Sequence, residues 1–75
     1  GNYSAAEEAF GRLTGLKPEA GAAWALLGVS RYRNGKHEAA FDALRRAALS
    51  GLPADNKALL STARFHLAAL MTRFG

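Results

Sequence analysis

Only four of the 75 residues branch at Cβ, namely Thr14, Val29, Thr62 and Thr72, and isoleucine is absent. Strands are built from branched and aromatic side chains that pack on a pleated surface, so a sheet has almost no material here. Alanine and leucine dominate instead. Both enter a helix at little cost in side-chain freedom, and the chain is expected to be all-α.

Glycine and proline punctuate this helical material, because neither sits cheaply inside a helix. Gly1 with Asn2 opens the first run; the stretch from Gly15 to Gly21, with Pro18 inside it, closes that run; Asn34-Gly35 closes the second, and Ser50-Gly51-Leu52-Pro53 the third. Four helices follow, over Tyr3 to Thr14, Ala22 to Arg33, Lys36 to Leu49 and Asp55 to Phe74. Asn2 or Ser4 is placed to cap the first, with Ser4 and Glu7 at capping-box spacing, and Asp55 to cap the fourth. Asn34-Gly35 suits a left-handed helix stop. Connections this short require successive helices to lie antiparallel and adjacent.

A chain this short holds one domain and a small core, which leaves little for an active site with its own supporting shell. No cysteine is present, so disulfides and thiolate metal sites are closed to it. His37 and His66 have no carboxylate at helical spacing on a shared face, short of the three or four ligands zinc takes. Ser4, Ser30, Ser50 and Ser61 have no neighbouring base to activate them. No catalytic, cofactor-binding or metal-binding residue is therefore assigned. The formal charge of +4 is spread along the chain rather than gathered in a block, which disfavours nucleic acid. Apolar runs fall far short of the ~20 residues that span a bilayer. Glu7-Glu8 and Arg45-Arg46 read as solvated pairs, and Arg31, Arg33 and Lys36 as cations suited to a helix C-terminus.

Sliding the chain over itself until Gly1 falls on Gly35 also pairs Ala5 with Ala39, Ala6 with Ala40, Ala9 with Ala43 and Arg12 with Arg46, while Phe10 meets Leu44 and Glu8 meets Asp42. The second run holds Trp24, Leu27 and Gly28, followed by Gly35, Ala40, Leu44, Ala47 and Pro53; the first holds Gly1, Tyr3, Ala6, Phe10, Leu13 and Pro18. These residues resemble the tetratricopeptide repeat, a helix-turn-helix unit with a Trp-x-x-Leu-Gly signature, a following Ala-x-x-x-Phe and a closing proline. The resemblance covers essentially the whole chain. It implies stacked antiparallel helix pairs forming an α-solenoid. Residues 1–18 would be the second helix of one repeat, 21–53 one repeat, and 55–75 the first helix of a third, as in an excerpt from a longer solenoid. Departures from the pattern are Arg31 where the family has tyrosine, Leu44 for the aromatic, and Pro53 one residue late. The interval from Gly35 to Gly75 is also longer than that from Gly1 to Gly35, which lengthens the third unit or its link.

At 100° per residue Trp24, Leu27, Gly28 and Arg31 share one face of the second helix, and Leu60, Leu67, Ala68, Met71 and Phe74 one face of the fourth; these are the expected packing faces. The other faces carry Ala22, Ala25, Val29, Tyr32 and Arg33, and Thr62, Phe65, Ala69, Thr72 and Arg73. In the resembling family the first helices of successive repeats line a concave groove that grips peptides or proteins. That implies a partner-binding groove of Ala25, Val29, Tyr32, Arg33, Phe65, Ala69, Thr72 and Arg73. Ala25 and Val29 stand where some members carry the Lys and Asn of a carboxylate clamp, so that mode is disfavoured. The expected function is a non-catalytic scaffold for a protein or peptide with acidic and apolar side chains, with no small-molecule substrate. The alternative is a regulatory or targeting appendage of a larger enzyme.

Overall fold

The computed structural model describes residues 2–51 and 56–74, and among them every element is a helix. The elements are α1 (Asn2–Leu16), α2 (Gly21–Arg33), α3 (His37–Ser50) and α4 (Lys57–Phe74). Their bounds lie close to the turn signals. Pro53, Asp55 and the Asn2 side chain lie outside what the structure describes. The fourth run is one continuous helix of 18 residues against 13 in α2. Asn56 caps it, its side-chain oxygen accepting the Leu59 backbone N–H at 3.1 Å. Ser4 lies inside α1, so no capping box forms there.

The link from α2 to α3 is a helix stop built on glycine. Gly35 adopts φ +82°, and its N–H reaches the Tyr32 carbonyl at 3.1 Å while the Lys36 N–H reaches that of Arg31 at 2.9 Å. These two bonds form a Schellman motif, and they consume carbonyls that the helix end would otherwise leave unpaired.

α2 is the central element, packed against α1, α3 and α4, and α4 lies across both α2 and α3. Two glycines of α2 admit the close approach of α3: Gly21, where a Cβ would run into the Gly51 carbonyl oxygen, and Gly28. A Cβ at position 28 would stand 2.5 Å from Leu44 Cγ and 2.7 Å from its Cδ2, so the missing side chain is what admits Leu44. Leu44 is fully buried, together with Ala25, Ala40, Ala47, Ala63 and Leu70 in one cluster. Small residues let the backbones close, and three leucines (Leu27, Leu44 and Leu70) fill what remains. Trp24 is half-buried on the edge of the cluster, its Nε1–H donating to the Pro18 carbonyl at 2.8 Å and Arg46 lying over its ring at 5.1 Å.

The packing face of α4 differs from the expected one. Ala63 and Leu70 are buried, and Leu59 and Leu67 pack beside them. Ala68, Met71 and Phe74 are exposed, although Phe74 stacks on Phe41 at 5.8 Å. α4 carries two overlapping apolar arcs, and the arc turned toward α2 and α3 is the buried one.

Glycine at position 28 fixes an opposite outcome for two formally identical substitutions. Gly28→Ala should lower stability by about 1–3 kcal/mol through overpacking on Leu44, despite alanine's helix preference. Gly11→Ala, where an added Cβ meets nothing within 4 Å, should raise it by roughly 0.5–1 kcal/mol. Urea titrations of both variants beside the parent check the contrast.

Candidate functional site

The N-terminal half of the site rests on one carboxylate. Glu7 of α1 accepts from Lys36 Nζ at 3.1–3.2 Å and from Asn34 Nδ2 at 3.1 Å, and its Oε2 stands 3.6 Å from Arg31 Nε, with the carboxylate side chain only 17% exposed. Glu7 is thus a tertiary tie from α1 to the end of α2 and the start of α3, not half of a solvated acidic pair. Burial pushes its pKa up, but the hydrogen bonds from Lys36 and Asn34 and the charges of Lys36 and Arg31 outweigh burial and hold it below 4.5. Arg31, standing where the family has tyrosine, stretches to α3, where its Nη1 donates to the Ala39 carbonyl at 3.2 Å. One guanidinium therefore joins three helices.

Above this tie, aromatic and imidazole rings lock α2, α3 and α4 together. Tyr32 stacks on His66 with ring centroids 4.0 Å apart and on His37 at 4.8 Å, and Phe65 meets His66 edge-on at 5.6 Å. Arg73 Nη1 lies 3.0 Å from His37 Nδ1, so that nitrogen must be the unprotonated acceptor. Both ring nitrogens of His66 are buried without a hydrogen-bond partner among the described residues. Burial first, then the Arg33 charge, lowers its pKa from 6.5, since a proton there would meet no acceptor and a neighbouring cation.

Beside His66 the surface opens into a cleft of about 440 Å³ lined by Arg33, Ser61, Thr62, Phe65 and His66. Phe65 is 70% exposed within it. Arg33 is exposed, with its Nη1 donating to the Tyr3 hydroxyl at 3.2 Å and its guanidinium 5.7 Å from the Tyr3 ring centroid. Both contacts tie the Arg33 side chain, which also lines the cleft, to α1.

The eight residues expected to line a groove fall into separate settings. Arg33 and Phe65 meet in the cleft. Val29, one turn before Arg33, is half-buried, and Tyr32 is held in the ring stack. Ala69 and Thr72 are exposed on the turns that follow Phe65, with the Thr72 hydroxyl donating back to the Ala68 carbonyl at 3.2 Å. Arg73 turns to His37 on α3. Ala25 is a correction: it is completely buried in the core cluster, because α4 lies over this part of α2 and leaves no surface there for a partner. Ser61 and His66 enter the cleft although sequence reasoning does not place them there, and it places Thr62 only on that face of the helix. Spacing holds the signal, since Ser61 and Thr62 lie four and three residues before Phe65 and so share its face.

A series of helices in which each packs against the one before it, and in which Ala5, Ala6, Ala9 and Arg12 of α1 recur at the matching places in α3, is the layout of an α-helical repeat protein. The model of the tetratricopeptide repeat matches residues 1–56, and the chain belongs to that family. No curated protein and no solved structure matched the chain. Repeats of this family generally mediate protein–protein interaction and are generally non-catalytic scaffolds. Among the described residues no group of three or more His, Cys, Asp or Glu is placed to hold a metal ion, and no helix is long and apolar enough to cross a membrane.

The two shifted pKa values predict two separate losses of stability on acidification. A histidine whose folded pKa lies below its unfolded value contributes stability that is present above pH 6.5 and lost as pH falls below it. The lowered pKa of Glu7 acts likewise, with stability lost below pH 4.5. Melting temperature should fall first below 6.5 and again below 4.5; in His66→Phe, which keeps a ring against Tyr32, the first fall should shrink.

Proposed function

We propose that the chain is a non-catalytic interaction module that takes a peptide or protein segment into the cleft between α2 and α4, and that the segment combines an acidic with an apolar side chain. The observation that carries this reading is Phe65, 70% exposed in a concave setting beside a cation. Aromatic residues and arginine are enriched at protein–protein interfaces, and a guanidinium suits a carboxylate. Ser61 adds a hydroxyl that pairs with the ligand's backbone, whereas the Thr62 hydroxyl already donates to the Ala58 carbonyl at 2.9 Å and is left to accept. Val29, Ala69 and Thr72 extend the same surface along their helices. Tyr32 and His66 support it from behind by fixing the side from which Phe65 projects.

The test uses peptides selected from a random displayed library against the chain. Selected sequences should place an acidic residue near a large apolar one. Phe65→Ala should then weaken binding by about 1–2 kcal/mol, or roughly 5- to 30-fold, mainly through faster dissociation. Arg33→Glu should slow association and flatten its salt dependence. Selected peptides that bind both variants as tightly as the parent would place the partner surface elsewhere.

A further inference from the structure

The cations around the Phe65 cleft exceed what a single carboxylate can match. α2 and α4, the two helices that form it, carry Arg31, Arg33, Lys57, Arg64 and Arg73 and no acidic residue. Arg31 is engaged by Glu7 and the Ala39 carbonyl, and Arg73 turns to His37. Arg33, Lys57 and Arg64 are exposed and meet no carboxylate among the described residues.

Ser61 is the residue these charges surround. It is exposed and lines the cleft with Arg33, and its hydroxyl takes part in no hydrogen bond among the described residues, unlike that of Thr62, which is turned back to Ala58. Lys57 lies four residues before Ser61 and Arg64 three after it, the two spacings that make neighbours on a helix surface, with Cβ atoms about 5–6 Å apart. At 100° per residue both cations fall on one side of Ser61, while Phe65, Thr62 and His66 fall on the other. Arg33 reaches the cleft from that second side, where its charge acts on His66. A negative group seated at Ser61 therefore has a guanidinium of α2 on one flank and two cations of α4 on the other.

A carboxylate brings one charge and two oxygens, which leaves most of this rim unmatched. A phosphate monoester carries about −1.5 to −2 charges at pH 7 and three strong acceptor oxygens, enough for donors on both flanks and for the hydroxyl between them.

We propose that the acidic element taken by the cleft is a phosphorylated serine or threonine of the partner segment, seated at Ser61 between Arg33 and the Lys57–Arg64 flank, while a nearby apolar side chain of the same segment lies on Phe65; this rests on the cleft being a peptide site. The Ser61 hydroxyl donates to a phosphoryl oxygen and keeps its lone pairs for a backbone N–H of the segment. Binding is then conditional, because the unmodified segment brings no charge to the rim and the association switches on when the partner is phosphorylated.

Arrayed synthetic peptides with phosphoserine fixed at the centre and randomised flanks test this, the best binders being titrated against the whole chain in matched phosphoserine, glutamate and serine forms. The best binders should carry a large apolar residue within a few positions of the phosphoserine. Their phosphoserine forms should bind about tenfold or more tighter than the glutamate forms, with no detectable binding of the serine forms. Salt should weaken the phosphoserine forms more steeply than the glutamate forms. The double variant Lys57→Ala with Arg64→Ala removes the α4 flank at exposed positions and leaves the cleft lining intact; with helicity unchanged by circular dichroism, it should erase most of the difference between the two forms, whereas Phe65→Ala should weaken both alike. Glutamate forms that bind as tightly as phosphoserine forms, or a double variant that keeps the full difference, overturn the phosphoryl assignment and leave a carboxylate-binding cleft in place. If no form binds, the peptide site fails with it. Displacement of the peptide by an equal concentration of inorganic phosphate would reduce the rim to a bare anion site, and a uridine oligonucleotide that binds more tightly than any phosphopeptide would assign the cations to a nucleic-acid strand; either result overturns the proposal.

Discussion

Everything in this small structure hangs on the distance at which α2 and α3 pass each other, and that distance is held by glycines at two places on α2, Gly21 against the Gly51 carbonyl and Gly28 against Leu44. With Leu44 seated against the α2 backbone, Ala40, Ala43 and Ala47 are drawn into full burial along the same side of α3. That places Arg31 within reach of the Ala39 carbonyl and of Glu7 on α1, so the polar tie among three helices follows from an apolar contact. It also brings Tyr32 and His37 together as one side of the stack that receives His66 from α4. A larger side chain at position 28 would separate the helices and loosen all of these at once.

Local chemistry was legible in the sequence wherever its cause lay within a few residues. Gly35 announced the helix stop that its positive φ provides, and the scarcity of branched residues excluded strands. Gly28 was readable as a packing device because glycine inside a helix costs about 1 kcal/mol against alanine, which something nearby must offset. The role of Glu7 was hidden, since its partners at positions 31, 34 and 36 lie a whole helix away and an acidic pair near a helix start has a sufficient local explanation.

The fourth helix shows a different limit. Leu60, Leu67, Met71 and Phe74 form one apolar arc and Leu59, Ala63, Leu67 and Leu70 another, and hydrophobic periodicity does not choose between them. The choice is tertiary, made by contact with α2 and α3 at once. Ala25 was misjudged for a related reason: alanine is equally at home facing a ligand or a neighbouring helix, so its identity carried no information. Phe65 and Arg33, by contrast, line one cleft, and both could be singled out in the sequence because an aromatic and a cation on a helix face are conspicuous where an alanine is not.

Native-state hydrogen exchange followed residue by residue tests most directly whether the α2–α3 contact governs the fold. If it does, the slowest amides should cluster in the middle of α2 and α3, around Gly28 and Leu44, and should exchange only by global unfolding. The amides of α1 and α4, each with an open side, should exchange faster through partial opening. Strongest protection in α4, or equal protection across all four helices, would contradict this account, because it would place the stabilising contact somewhere other than where Gly28 lets Leu44 in.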